Sequence, residues 1–438
     1  MVADKSRPDD SKGLSLIFRA LSHRNYRLFF GGQGISLIGT WMQQIAMSWL
    51  VYHITQSAFL LGFVGFLSQI PVLLLSPFAG VLIDRWNRHR ILICTQSLAM
   101  IQAFVLALLT LTGTIAIWHI IILALFLGFV NAFDMPTRQS FVVEMVETGE
   151  DLGNAIALNS FLFNGARLLG PSIGGILISL LGEGMCFLLN GISFIAVIIA
   201  LLAMKITKRE IRSRSSQVFK GMKEGFTYAF GFPPIRSLLL LLALTSLTAM
   251  PYTVLMPVFA KNVLHGGPQT LGFLLGASGV GAAVGAIYLA SRTSVLGLGK
   301  LIVIASSIFG IGLIAFSISR ILWLSLLLLV LTGFGMMVQM ASSNTVLQTI
   351  VEEDKRGRVM SLYTMAFMGM APFGSLLAGS LASRIGAPGT ITISGVACIL
   401  GSILFARKLP LLRELVRPIY MRKGIVQEEA ELPISSKR

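Results

Sequence analysis

An all-α membrane protein of twelve transmembrane helices, set as two pseudo-symmetric six-helix bundles, is the architecture the sequence predicts. Three observations predict it: a composition poor in charge, two sets of six apolar runs of spanning length, and a weak repeat between the halves. The 438 residues are 55% hydrophobic and only 12% charged, with a mean hydropathy of +0.80. A soluble domain needs a charged surface to stay dissolved, whereas a chain whose outer face meets lipid does not. A spanning helix takes about 20 apolar residues. Backbone groups in lipid must be paired within the span, so helices are expected throughout.

The elements follow in order. Residues 1–27 are polar and basic, and no short apolar core with a cleavage site precedes the first long run. The first span is therefore expected to act as an uncleaved insertion signal. Apolar runs at about 28–52, 58–83, 91–112, 115–136, 153–181 and 185–204 form a first bundle over 28–204. The stretch 205–235 is a linker. Phe219, Met222, Phe226 and Phe230 recur there at helical spacing with Lys220, Lys223 and Glu224 on other faces. It reads either as an amphipathic helix on the membrane surface or as an ordinary solvated linker. A second bundle over 236–408 holds runs at about 237–260, 269–290, 301–319, 321–344, 359–383 and 388–406, and 409–438 is a charged, loosely ordered tail.

The net charge of +16 sits between the runs and at the two ends. Membrane topology explains that placement better than nucleic-acid binding does. One set of loops carries Arg85, Arg88, Arg90, Arg138, Lys205, Lys208, Arg292, Lys300, Lys355, Arg356 and Arg358, and the other carries only Lys261, Arg320 and Arg384. Basic loops stay inside, so both termini are expected in the cytoplasm. Cys94, Cys186 and Cys398 lie singly in apolar runs, with no metal-type spacing. The histidines lie at or near predicted span ends without an acid or thiol arranged for catalysis, which argues against an enzyme. No GxxxxGK[ST] string marks an ATPase. No additional soluble domain suits a signalling scaffold.

The halves echo each other. Gly128-Phe129, Val146-Glu147, Gly153 and Ala157-Leu158 match Gly333-Phe334, Val351-Glu352, Gly357 and Ser361-Leu362 at an offset of about 205, and Gly170-Pro171 matches Ala371-Pro372. Such a repeat places two bundles around a central site.

The string Gly80-Val-Leu-Ile-Asp84-Arg85-Trp-Asn-Arg88-His-Arg90 closely resembles the signature loop of the major facilitator superfamily. Asn87 stands where the family has a second Gly; asparagine tolerates left-handed angles, so the turn is expected to survive. Span five carries Gly165-Ala-Arg167-Leu-Leu-Gly170-Pro171-Ser-Ile-Gly174-Gly175, which is similar to the motif of the superfamily's antiporters. Asn131-Ala-Phe-Asp134-Met-Pro136-Thr-Arg138-Gln139, with Asn159-Ser160 and Asn164-Gly-Ala-Arg167, resembles the subgroup of the enterobactin exporter and macrolide-efflux-like proteins. The resemblance spans essentially the whole chain. It implies proton-coupled export of a small organic molecule (drug, siderophore or metabolite) by alternating access, by a monomer in the cell inner membrane without a cofactor. Uptake, or another coupling ion on the same fold, is the alternative.

Candidate site residues follow. Gly80 lets span two approach a neighbour closely. Asp84, Arg85, Arg88, Arg90, Asp134 and Arg138 converge at one membrane edge. They form either a charge latch that breaks when the carrier switches or charges that only set topology. Gly170, Pro171 and Gly174 share a helix face, and the resemblance puts that face between the bundles. Arg167 is deep in its span, where an arginine must face protein or a water-filled cavity. It either binds an anionic substrate group or holds a helix network with Asn164. The family's cavity helices are one, four, seven and ten, and polar stripes fall there: Gln33, Ser36, Thr40, Gln44 and Ser48; Asn131, Asp134 and Arg138; Thr245, Thr248 and Tyr252; Thr332, Gln339 and Ser343. Trp41 adds a stacking surface or is a packing aromatic. Asp134 is the only acid inside a predicted span. It is either the proton carrier, with Asp84 second, or a permanent ion-pair partner.

Overall fold

In the computed structural model of the chain, which describes residues 18–146, 151–205, 218–292 and 294–426, the regular elements are all helical. A 3-10 turn, Arg19–Ser22, leads into α1 (Arg24–Thr55), α2 (Ala58–Arg85), α3 (Arg88–Leu111), α4 (Ile117–Met145), α5 (Leu152–Leu181) and α6 (Glu183–Leu202). A short α7 (Val218–Gly231) precedes α8 (Pro233–Thr248). The path of α8 continues through a 3-10 stretch, Met250–Leu255, an α turn, Met256–Val258, and a π turn, Phe259–Val263. Then come α9 (Pro268–Ala290), α10 (Leu298–Ile318), α11 (Leu322–Ile350), α12 (Arg356–Thr364), a π turn Met365–Gly369, and α13 (Ala371–Arg422). Gly386, at φ 78°, breaks α13 in two; only glycine takes that left-handed angle without strain. Among the described residues ten helical stretches are long and apolar enough to cross a membrane, so this is a multi-pass membrane protein.

Local chemistry sets the boundaries. Ser57 accepts a hydrogen bond from the Leu60 amide and starts α2. Asn87 accepts one from the Arg90 amide at 3.1 Å and starts α3. Asn87 thus keeps the signature turn by capping a helix from extended backbone (φ −72°), and the left-handed geometry expected for it is absent. Such a cap satisfies an amide the first helical turn leaves unpaired. Pro251 and Pro257 lack the amide hydrogens a continuous helix would need, and α8 breaks up in their neighbourhood.

Two boundaries differ from the sequence expectation. Helix α1 begins at Arg24, and the segment before it is fixed to the start of α5. Arg19 pairs with Asp151, His23 Nε2 lies 2.8 Å from Asp151 Oδ2, and the Ala20 amide donates to Asn154. At the other end the helix does not stop near residue 406. It runs to Arg422, and buried Leu412 and Val416 pack with Leu347, Ile350 and Val351. Apolar residues three to four apart hold this basic stretch against the second half instead of leaving it a loose tail.

The second half of the chain repeats the packing of the first. Helix α1 packs on α5 and α6, α2 on α4, and α3 on α4 and α6. Correspondingly α9 packs on α11, α10 on α11 and α13, and α8 on α13. The repeat is visible at single glycines. A Cβ on Gly128 of α4 would stand 2.7 Å from the Ser68 carbonyl of α2, and Gly333 of α11 abuts the Ser278 carbonyl of α9.

Two helix pairs cross between the halves, each at a glycine–glycine contact. Gly62 of α2 faces Gly379 and Ser375 of α13; Gly272 of α9 faces Gly175 and Pro171 of α5. A Cβ on Gly379 would meet the Ala58 carbonyl at 2.7 Å, and one on Gly175 the Pro268 carbonyl at 2.6 Å. The two crossings are related by the internal repeat, and backbone is against backbone in both. Both lie toward the end of the molecule opposite the termini, called here the far end.

Candidate functional site

The charged residues separate into pairs. Asp134 is buried in α4. Its Oδ1 accepts from Thr95 Oγ1 at 2.9 Å and from Gln96 Nε2 at 2.7 Å, both on α3. Its Oδ2 accepts from Arg138, one turn along α4, at 2.6 Å. Arg88 pairs instead with Glu144 at 2.8 Å. Among the described side chains of the expected latch, Asp134 therefore meets Arg138, and Arg88 meets Glu144. The i, i+4 spacing gives Asp134 its own arginine, and Glu144 lies nearer the helix end where Arg88 emerges. The Asp84 and Arg85 side chains lie outside the described residues. Gly80 has open space where a Cβ would sit, Arg90 is exposed, and His89 stacks on Phe141 with Nε2 2.7 Å from the Leu201 carbonyl.

The glycine motif of α5 serves two partners. Gly170 and Gly174 face α1, where their Cβ atoms would meet Trp41 Cβ at 2.5 Å and Met42 Cα at 3.1 Å. Gly175 and the Pro171 carbonyl face Gly272 of α9, in the other half. A Cβ on Gly165 would meet open space. The face shared by Gly170 and Gly174 is therefore internal to the first half, and the neighbouring 171/175 face makes the crossing.

The polar stripes divide by exposure. Thr40, Gln44 and Asn164 are exposed, and Trp41, Asn131 and Arg167 are half-buried. Gln33, Tyr252, Gln339 and Ser343 are buried between helices and do not line an open space in this conformation. Tyr252 is hydrogen-bonded to Ser278 of α9, and Gln339 donates to Thr245 at 3.2 Å. The Asn164 amide donates to the Ser160 carbonyl at 2.8 Å rather than holding Arg167. Trp41 meets Phe163 edge-on at 5.9 Å. Phe161, Asn164, Met365 and Met368 are all exposed, on the side of the crossings nearer the termini.

Sequence reasoning missed a buried amide relay. Asn190 donates to Gln43 Oε1 at 2.8 Å, Gln43 to Gln102 Oε1 at 2.9 Å, and Ser193 to Asn190 Oδ1 at 3.1 Å. It joins α1, α3 and α6, and none of its members belongs to the polar stripes read from the sequence. The signal available was three carboxamides within apolar runs. Also missed was a cross-half contact at the far end. Asn262 donates to the Tyr52 hydroxyl at 2.6 Å, and Lys261 sits 6.0 Å over the Tyr52 ring.

At the terminal end Glu224 of α7 pairs with Arg358 at 2.9 Å, and Lys355 lies 4.5 Å over the Tyr228 ring. The Glu352 carboxylate beside Lys355 holds its ammonium above the ordinary lysine range, and burial pushes Tyr228 up. Phe226 of α7 is exposed and stacks on Phe230 at 4.2 Å; the side chains of 218–223 lie outside the described residues.

With this geometry in place, comparison with known proteins gives a consistent picture. Residues 17–421 match the family model described as transmembrane secretion effector. The chain is 29% identical over 384 residues to the staphyloferrin A transporter of Staphylococcus aureus, covering 86% of this chain and 95% of that one. It is 26% identical over 392 residues to the multidrug efflux pump Tap of Mycolicibacterium fortuitum, covering 88% and 93%. In fold it is similar to a bacterial homologue of the human lysosomal transporter Spinster solved inward-facing and unoccupied, at a TM-score of 0.69 and 13% identity over 91% of this chain and 98% of that one.

Proposed function

The chain belongs to the transmembrane secretion effector family of major facilitator transporters, and on that premise we propose that it exports small organic molecules across the cell inner membrane by proton-coupled alternating access. The carrying observation is that the two glycine crossings lie toward one end of the molecule. Two bodies joined there and spread at the opposite end form a carrier open to one side.

Ten apolar stretches become twelve crossings when the stretch 356–422 is divided at Gly386 and the 32-residue α1 is counted. Six then precede α7 and six follow it, giving two bundles. Arg88, Arg90, Arg138, Lys355, Arg356, Arg358 and Arg407 gather at the terminal end, so that end faces the cytoplasm. The present conformation is then inward-open. Cargo enters between α5 and the α12 region and leaves after the crossings at Gly62 and Gly175 part. Contacts at the far end, including Tyr52 with Asn262, must break in the same step.

Asp134 is the proton-carrying group in this reading, and Asp84 is the second choice. Protonating Asp134 releases Arg138 and so ties charge to the position of α4 against α3. The basic loop after α2 is the latch that closes the cytoplasmic end. The molecule works as a monomer and needs no cofactor.

Uptake of fluorescent drug substrates into inverted membrane vesicles tests the reading. ATP-independent accumulation that collapses with a protonophore is expected. Accumulation indifferent to the protonophore removes proton coupling, and no accumulation removes export.

A further inference from the structure

Among the described residues Arg167 is the one cation deep inside a span. It stands about 22 Å of helix from either end of α5. No hydrogen bond, ion pair or ring contact engages its guanidinium among the described residues. Tyr252, in the other half, is already bonded to Ser278.

The acids whose side chains are described are committed elsewhere. Both Asp134 oxygens are engaged, Asp151 holds Arg19 and His23, Glu144 holds Arg88, and Glu183 faces His53 at the far end. Glu224 of α7, with Glu352, Glu353, Asp354 and Glu414 beyond it, all lie at the terminal end. Arginine stays protonated under any physiological condition. While the cytoplasmic end is open, water can solvate the half-buried guanidinium. Once the carrier closes, that water is lost, and an unpaired buried charge costs several kcal/mol. Among the described side chains none supplies the counter-charge, which leaves the cargo to bring it.

We propose that Arg167 is the binding site for the anionic group of the cargo, so that the transported molecules are organic acids carrying a carboxylate or similar oxyanion. The inference rests on the export reading and narrows it. The planar guanidinium takes such a group with two parallel hydrogen bonds. Its surroundings suit the rest of an amphiphilic acid. Phe163, Arg167 and Gly170 share one face of α5, and Trp41 touches both Phe163 and Gly170. That face carries an aromatic pair, Trp41 with Phe163, about one turn from the charge. One turn toward the cytoplasm, Asn164 uses one amide hydrogen on Ser160 and leaves its carbonyl oxygen for a neutral polar group.

The test uses full-length protein in nanodiscs and a panel of aromatic carboxylic acids, each with its methyl ester and its amine analogue. Ligand-induced thermal stabilisation is expected from the acids alone. Arg167→Gln should weaken it by about tenfold or more, the scale of a lost charge-assisted pair, and Arg167→Lys should retain part of it. Asn164→Asp, which supplies an internal carboxylate one turn away, should compete with the acids and weaken them, whereas Asn164→Ala should not. That second variant keeps the test decisive if Arg167→Gln folds poorly. Equal stabilisation by esters or amines, wild-type binding of acids by Asn164→Asp, or no binding by any panel member overturns the proposal. Vesicle transport separates it from the export reading. Esters or amines exported as well as acids would end the anion site and leave export standing. Acids that bind but are never transported would do the reverse.

Discussion

Asp134 shows how far single residues can be read from sequence. It was identifiable as the only acid inside a predicted span, because a carboxylate in an apolar run is conspicuous. Its neighbours were not. Thr95 and Gln96 sit in an apolar run, and nothing in one sequence fixes the register of α3 against α4. The Gln43–Gln102–Asn190 relay was hidden for the same reason. Neutral amides raise no alarm until three helices bring them together. Removing the charge tests the role of Asp134. In Asp134→Asn the pH dependence of transport is expected to vanish, with a stability loss of about 1–3 kcal/mol from the Arg138 charge left unpaired. The double variant Asp134→Asn/Arg138→Gln should recover the stability and not the pH dependence. A pH–rate profile and a thermal melt on each variant separate a titrating carboxylate from a permanent ion-pair partner.

At the scale of the helix, the Gly-Pro-x-x-Gly-Gly pattern of α5 was legible as close packing. Its division of labour was not, because 170/174 and 171/175 differ by one residue in register yet meet different halves. The breaks in α8 near Pro251 and Pro257 follow from proline chemistry, whereas the π turn after them has no sequence signature. The end of α13 differs from the expectation because the many charges of 409–438 suggest a tail. Leu412 and Val416 in fact keep helical spacing and find an apolar partner in α11. The crossing at Gly175 yields a prediction. A Cβ there would stand 2.6 Å from the Pro268 carbonyl and 2.9 Å from Gly272 Cα. Gly175→Leu should therefore hold the far end apart while each half still folds. Spin labels at exposed Thr114 and His265, one in each half, should report a longer distance than in the parent protein. An unchanged distance would mean that this crossing does not keep the far end shut.

For the whole molecule, hydropathy gave the membrane class and the repeat gave the two-part plan, since both depend on many residues at once. What no local pattern could reveal is which end would be closed. In the proposed alternating-access cycle that depends on differences of a few kcal/mol between two ways of packing the same halves together. The closed far end makes the carrier pharmacologically one-sided. On the proposed inward-open reading, a bulky blocker added outside the cell meets the glycine crossings and finds no entrance, whereas the same compound inside meets the open end. Inhibition by such a compound should be strong in inverted vesicles and weak in right-side-out ones, and equal potency from both faces would mean that the resting population is not the conformation described here. A useful inhibitor would then have to cross the bilayer first, so the membrane permeability of a compound, and not its affinity alone, would decide its potency in intact cells.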